Sequence, residues 1–203
     1  DAAACDALLL LLRHHAPGHD AVVVAGSLPR GISPQWFGDL LDELKAMGLK
    51  VALDTSGQAL RVGLQSLPWL VKPNTEELGE ALGTPVDDVG QQRLAARQLL
   101  DEGVEHVVVS AGEHGVRWFA RNFTLVAVPP KVNVASTVGA GDSLVAGMVH
   151  GLLQGEAASR TLARATAIAA QAVTQVGFGI NDHDQLARLQ AAVSLTEQQE
   201  GCQ

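Results

Sequence analysis

Four short runs that are apolar or nearly so, at 21–25, 51–54, 69–72 and 106–110, are each separated by helix-length stretches, and this pattern constrains the chain most. A strand apolar on both faces must be covered on both. The alternation therefore predicts an α/β fold with a mostly parallel central sheet between helical layers. The helices expected before and between the runs are 2–15, 33–48, 59–66, 75–82 and 88–102. Ser33 can cap the second of these, Pro34 suits its first turn because it lacks an N–H, and Gly48 is a natural stop. Two further runs, 116–120 and 124–128, flank Arg121-Asn122 and predict a hairpin. Beyond Asn133 the chain turns helical, at 141–154, 156–176 and 182–194, and the polar tail 196–203 is expected to fray.

The chain has 203 residues, which fits one compact domain spanning 1–203. With 47% hydrophobic and 18% charged residues it is not a disordered chain. No apolar run approaches the length of about 18 that a membrane helix needs. Lys and Arg number 14 against 22 Asp and Glu, a net charge of -8. An acidic chain without a basic excess is a poor nucleic-acid scaffold, although a small anionic ligand needs only local donors. Cys5 and Cys202 lie at opposite ends without metal-type spacing, the usage of a reduced, cytoplasmic protein. The opening residues, Asp1 onward, read as the end of a helix whose predecessor is missing, and so as a fragment or a processed chain.

In parallel sheets ligands gather at the carboxyl ends of the strands. The loops there hold Gly26-Ser27, Asp54, Lys72-Pro73-Asn74 and Ser110-Ala111-Gly112. Asp54 fits a ligand edge and fits equally a hydrogen bond to its own loop. Chemistry concentrates in STVGAGDS at 136–143. Gly139 and Gly141 allow a tight turn in which successive N–H groups face one point, and Asp142 falls in the first turn of the next helix. Unpaired first-turn amides and the positive end of the helix dipole form an anion site, and a carboxylate beside it can take a proton from a hydroxyl. That is what phosphoryl transfer requires. It is neither a dinucleotide fingerprint, since Leu144 stands at the third glycine position, nor a Walker-type loop. Ser143, Gly147 and Gly151 recur every four residues, a smooth stripe suited to close packing against the second Ala-rich helix.

TVGAGD at 137–142, KPNTEE at 72–77, SAGEHG at 110–115 and GSLPRG at 26–31 stand in the order seen in ribokinase-like (PfkB) sugar kinases, which the chain resembles from about Val22 to about Leu195. The resemblance implies a three-layer ribokinase-like sandwich, lacking its N-terminal strands and lid. It also implies ATP-dependent phosphoryl transfer, assisted by Mg²⁺, to the free hydroxyl of a ketohexose phosphate. Fructose 1-phosphate would be the acceptor, with tagatose 6-phosphate or fructose 6-phosphate as alternatives. Asp142 would be the base, and the backbone of Gly139, Ala140 and Gly141 the anion hole. Lys72, Asn74, Ser110, Gly112 and Gly115 would serve the nucleotide, Asn74 and Glu77 the metal, and Ser27 the sugar phosphate. The longer protein would be a homodimer. A non-catalytic nucleotide-binding fragment is the rival.

Several of these segments have plainer readings. Asn74 to Glu77 is also a capping box. Segment 110–115 reads equally as a turn, and 26–31 as a turn feeding the Ser33 cap. His14, His15, His114 and His183 are most simply surface residues, and Trp36, Trp69 and Trp118 core or near-core packing.

Overall fold

A computed structural model describes residues 2–198. The chain divides into two compact units, Asp1–Val107 and Val108–Gln203.

The first unit alternates as expected: α1 (Ala2–His15), β1 (Ala21–Ala25), α2 (Pro34–Ala46), β2 (Lys50–Asp54), α3 (Gly57–Gln65), β3 (Leu70–Val71), α4 (Thr75–Leu82) and α5 (Val89–Glu102) precede β4 (His106–Ser110). The strands run parallel in sequence order, with Val22 beside Val51, Leu53 beside Val71 and Leu70 beside His106. Ser33 Oγ accepts from Trp36 N, and Asp88 caps α5 through Gln91 N. Phe37, Leu40, Leu41 and Leu44 fall on one face of α2 and are all buried. Each such side chain contributes roughly 1.5–3 kcal/mol of transfer free energy.

One expectation needs correction. β1 is not a buried strand: Val23 is 47% exposed, because among the described residues β1 stands at the end of the strand order with β2 as its sole partner. α1 buries none of its described side chains, and Leu10 and Leu11 are exposed.

The second unit begins inside β4. A short 3₁₀ turn, Gly112–His114, leads to β5 (Val116–Ala120) and β6 (Phe123–Val128), which form the expected antiparallel hairpin. α6 (Ala140–Leu153), α7 (Ala158–Ala172) and α8 (His183–Ala192) follow. The tail does not fray at 196–198: Ser194–Gln198 form β7, antiparallel to β6. Its side chains stay largely exposed, so backbone pairing makes this strand and hydrophobic periodicity could not reveal it. Residues 199–203, including Cys202, lie outside the described residues. The small-residue stripe packs as read: a Cβ on Gly147 would lie 2.7 Å from Ala165 Cα, and one on Gly151 2.6 Å from the Thr161 side chain. Only hydrogen on those α-carbons lets α6 and α7 approach so closely.

Candidate functional site

In the first unit, parallel register gathers the polar strand ends at one edge. Thr55 Oγ1 donates to Gly26 O at 2.7 Å, and Gly26 N donates to Asp54 O at 2.9 Å, tying the loops after β1 and β2. The register that sets Leu53 beside Val71 carries on to set Asp54 beside Lys72. Their side chains form an ion pair at 3.0 Å, 14% and 7% exposed. Lys72 is therefore not a solvated charge, and much of its field is spent on Asp54, the pairing that the two open readings of Asp54 did not contain. Two residues on, Glu77 N donates to Asn74 Oδ1 and Asn74 N donates to Glu77 Oε2, both at 2.8 Å. The capping box is real. Ser27 is exposed on the loop after β1.

Asn74 and Glu77 each have one oxygen engaged by the cap, and no cluster of three His, Cys, Asp or Glu side chains that could hold a metal exists among the described residues. Mg²⁺ characteristically takes one or two carboxylates, with water and substrate phosphates completing its shell. The second Glu77 oxygen, which receives no hydrogen bond from the described residues, fits that chemistry; a cage built wholly of protein does not.

In the second unit, Ser136 Oγ accepts from Val138 N at 3.2 Å, and Gly139 then adopts φ +81°, the left-handed region that suits glycine. This turn starts α6 without a side-chain cap. The Gly141 and Asp142 amides of its first turn find no acceptor among the described residues, whereas Ala140 N reaches back to Thr137 O at 3.4 Å. Of the expected donors, Ala140 is partly engaged by its own turn, while Gly139 N and Gly141 N find no acceptor among the described residues, and Asp142 N joins them. The Asp142 side chain is exposed rather than turned inward, and with Val138, Gly139 and Ser143 it lines a cleft of about 750 Å³. Open donors, the positive end of a 14-residue helix and a carboxylate share one edge of that cleft.

Ser110, Gly112 and Gly115 belong to this unit but do not line the cleft. They bracket the 3₁₀ turn, closed by Gly115 N to Gly112 O at 3.1 Å and Ala111 N to Gly115 O at 2.9 Å. Gly115 is buried against the Ala127 backbone, where a Cβ would collide with the Ala127 carbonyl, so packing alone accounts for that glycine. Phe178, which also lines the cleft, escaped notice. The one signal available was an apolar aromatic between two glycines, Gly177 and Gly179, in a loop.

Solved structures define the class. The chain superimposes on phosphofructokinase-2 from Escherichia coli in complex with potassium with a TM-score of 0.81 and 28% identity, over 90% of this chain and 61% of that one. Arabidopsis thaliana ribokinase complexed with ribose and ATP gives a TM-score of 0.71 over 91% and 59%, a likeness of fold at 24% identity. The expected ribokinase-like α/β fold is the one these proteins share. Residues 15–185 match the model of the pfkB family carbohydrate kinases, and the chain belongs to that family. It is 44% identical to the 1-phosphofructokinase of Vibrio cholerae over 91% of this chain and 58% of that protein. To the Haemophilus influenzae 1-phosphofructokinase it is 45% identical over 88% and 57%. The chain thus spans a little over half the length of the curated relatives it matches.

Proposed function

We propose that this chain carries the transfer site of an ATP-dependent sugar-phosphate kinase, with fructose 1-phosphate as acceptor. The observation that supports it most is the open first turn of α6: donors without acceptors beside an exposed carboxylate, in a cleft. Asp142 orients the free hydroxyl and takes its proton as the oxygen attacks the γ-phosphorus; the bond to the β-phosphate oxygen breaks and ADP leaves. The Gly141 and Asp142 amides, with the turn at Gly139 and Ala140, hold the charge of the moving phosphoryl group without reorganising. Bound Mg²⁺ would supply charge neutralisation on the phosphates, held by Glu77 with Asn74 fixing that side chain. Lys72 shares its charge between Asp54 and nucleotide phosphate; Ser110, Gly112 and Gly115 shape a nucleotide-side turn through their backbone; Ser27 meets the sugar phosphate. The similarity to 1-phosphofructokinases favours fructose 1-phosphate over tagatose 6-phosphate or fructose 6-phosphate.

The test is ADP release coupled to a dye-linked assay, with each of the three sugar phosphates, beside calorimetric titration with ATP. Turnover fastest with fructose 1-phosphate supports the reading. ATP binding without turnover on any of them would replace it with the nucleotide-binding fragment.

A further inference from the structure

The C-terminal end of α7 holds a buried amide that the proposed reaction does not use. Gln171 is 1% exposed. Its Nε2 donates to the Asp182 carbonyl at 2.6 Å and to Gln185 Oε1 at 3.0 Å. Thr174 Oγ1 donates to Gln171 O at 2.8 Å, and Gln185 N donates to Asp182 Oδ1 at 2.8 Å. Both ends of segment 173–182 are therefore tied to one residue. Gln171 Oε1, by contrast, is buried without a partner among the described residues. Leaving an acceptor unsatisfied is costly, so the donor half of this amide must contribute enough to retain it where leucine would pack more easily.

What lies between the ties has little else to hold it. Val176 is 88% and Phe178 83% exposed, so neither side chain anchors the loop in a core. Yet the Phe178 ring sits 3.6 Å from where a Cβ on Gly139 would be, and residues 177–180 line the same cleft as Asp142. The same helix end also supports the approach to α6: Val173 O accepts from Ala135 N at 2.7 Å and Ser136 N at 3.2 Å. One buried junction thus holds the loop that leads into the open turn and the loop that overhangs it.

We infer that Gln171 is a positioning residue, whose amide clamps loop 173–182 so that Phe178 and its flanking glycines form a fixed wall beside Asp142. The catalytic consequence rests on the kinase reading; the clamp does not. Gln171→Met keeps the volume and removes the whole amide: the two donated hydrogen bonds go, and so does the unpartnered carbonyl, whose relief offsets part of their loss. Chymotrypsin cutting after Phe178 requires the loop to open locally, so Gln171→Met is expected to speed that cut about tenfold while the melting temperature holds. Gln185→Leu should do the same, and the double variant should cut no faster than Gln171→Met alone, because both act through one clamp. With a loosened wall, kcat is expected to fall about tenfold while KM for ATP stays within about twofold, a loss of interactions made in the transition state.

An unchanged rate of cutting after Phe178, or faster cutting spread over the whole chain, would overturn the clamp. Faster cutting with kcat intact would leave the clamp standing and overturn the positioning role, since the wall would then position nothing. Absence of turnover in the parent chain would strike the kinase reading instead, and the proteolysis would still decide the clamp.

Discussion

The polar strand ends of the first unit and the open turn of the second treat their hydrogen bonds in opposite ways. Asp54 pairs with Lys72, Asn74 with Glu77 and Thr55 with Gly26, each inside the protein. At Gly139 to Asp142 all amides but that of Ala140 find no acceptor among the described residues, and Gly139 and the exposed Asp142 line a cleft. Polar groups that satisfy one another hold a scaffold still; polar groups left open beside a cavity are available to a ligand. On the proposed reading, charge stabilisation and proton transfer fall to the second unit, and the first holds a set of groups that need a reason to let go of their partners.

The largest effect expected of this contrast is at Asp142. Asp142→Asn keeps the shape and the helix start but cannot accept the proton, so kcat should fall by about 10²–10⁴. ATP affinity, read by calorimetry, should change little. Turnover retained in this variant would show that the open turn does not do the chemistry. Next is the buried pair. Lys72→Met leaves Asp54 without its cation and should cost about 3–5 kcal/mol, whereas adding Asp54→Leu should restore most of that stability. Urea melts of the three variants check this. If the stable double variant also keeps its ATP affinity, Lys72 belongs to the scaffold and the contrast sharpens; if ATP binding is lost, the pair opens toward phosphate and the contrast breaks.

Much of this was legible in the sequence because the signals are local. Apolar runs, the Ser33 cap and the Asn74 box act over a few residues, and all appear where the pattern puts them. The GAGD turn was legible for the same reason, since glycine spacing dictates its backbone. What escaped depends on contacts between distant residues. Lys72 meets Asp54 through strand register across 18 positions, Gln171 reaches Asp182 and Gln185 across a loop, and β7 exists only because β6 offers it an edge. The exposure of β1 and α1 likewise reflects what packs on them, which their own residues do not state.

The open turn starts a helix packed closely on α7, and a modest substitution in that contact should disturb it. Gly147→Ala places a methyl 2.7 Å from Ala165 Cα, so α6 must shift off α7. Overpacking of this kind costs about 1–3 kcal/mol. In a chain of this size each kcal/mol lowers the melting temperature by about 2–4 °C. Moving α6 also moves Asp142, so activity should fall further than the lost stability explains. A stability loss with kcat unchanged would mean that the site rides on α6 independently of its packing.

The smallest effect belongs to a half-buried imidazole of the first unit. His106 lies edge-on to Trp69, with ring centroids 5.5 Å apart, and Lys50 Nζ sits 5.0 Å from the same indole. Burial first, and the Lys50 charge second, push the His106 pKa from 6.5 down to about 4. Unfolded, the imidazole takes its proton near 6.5. Folded, it stays neutral until about 4. Between those values the unfolded chain binds more protons, so the folded state has its full stability above 6.5 and loses it as the pH falls toward 4. The ceiling is about 3 kcal/mol, and partial solvent contact at His106 brings it to about 1–2 kcal/mol. Melting at pH 7.5 and at pH 4.5 measures it: His106→Phe keeps an aromatic edge against Trp69 and should lose less on acidification than the parent. Lys50→Met removes the second cause and should narrow the parent's loss by a smaller amount. If parent and His106→Phe fall in parallel, His106 is not the source of the acid sensitivity, and the first unit's closure does not depend on keeping this imidazole neutral.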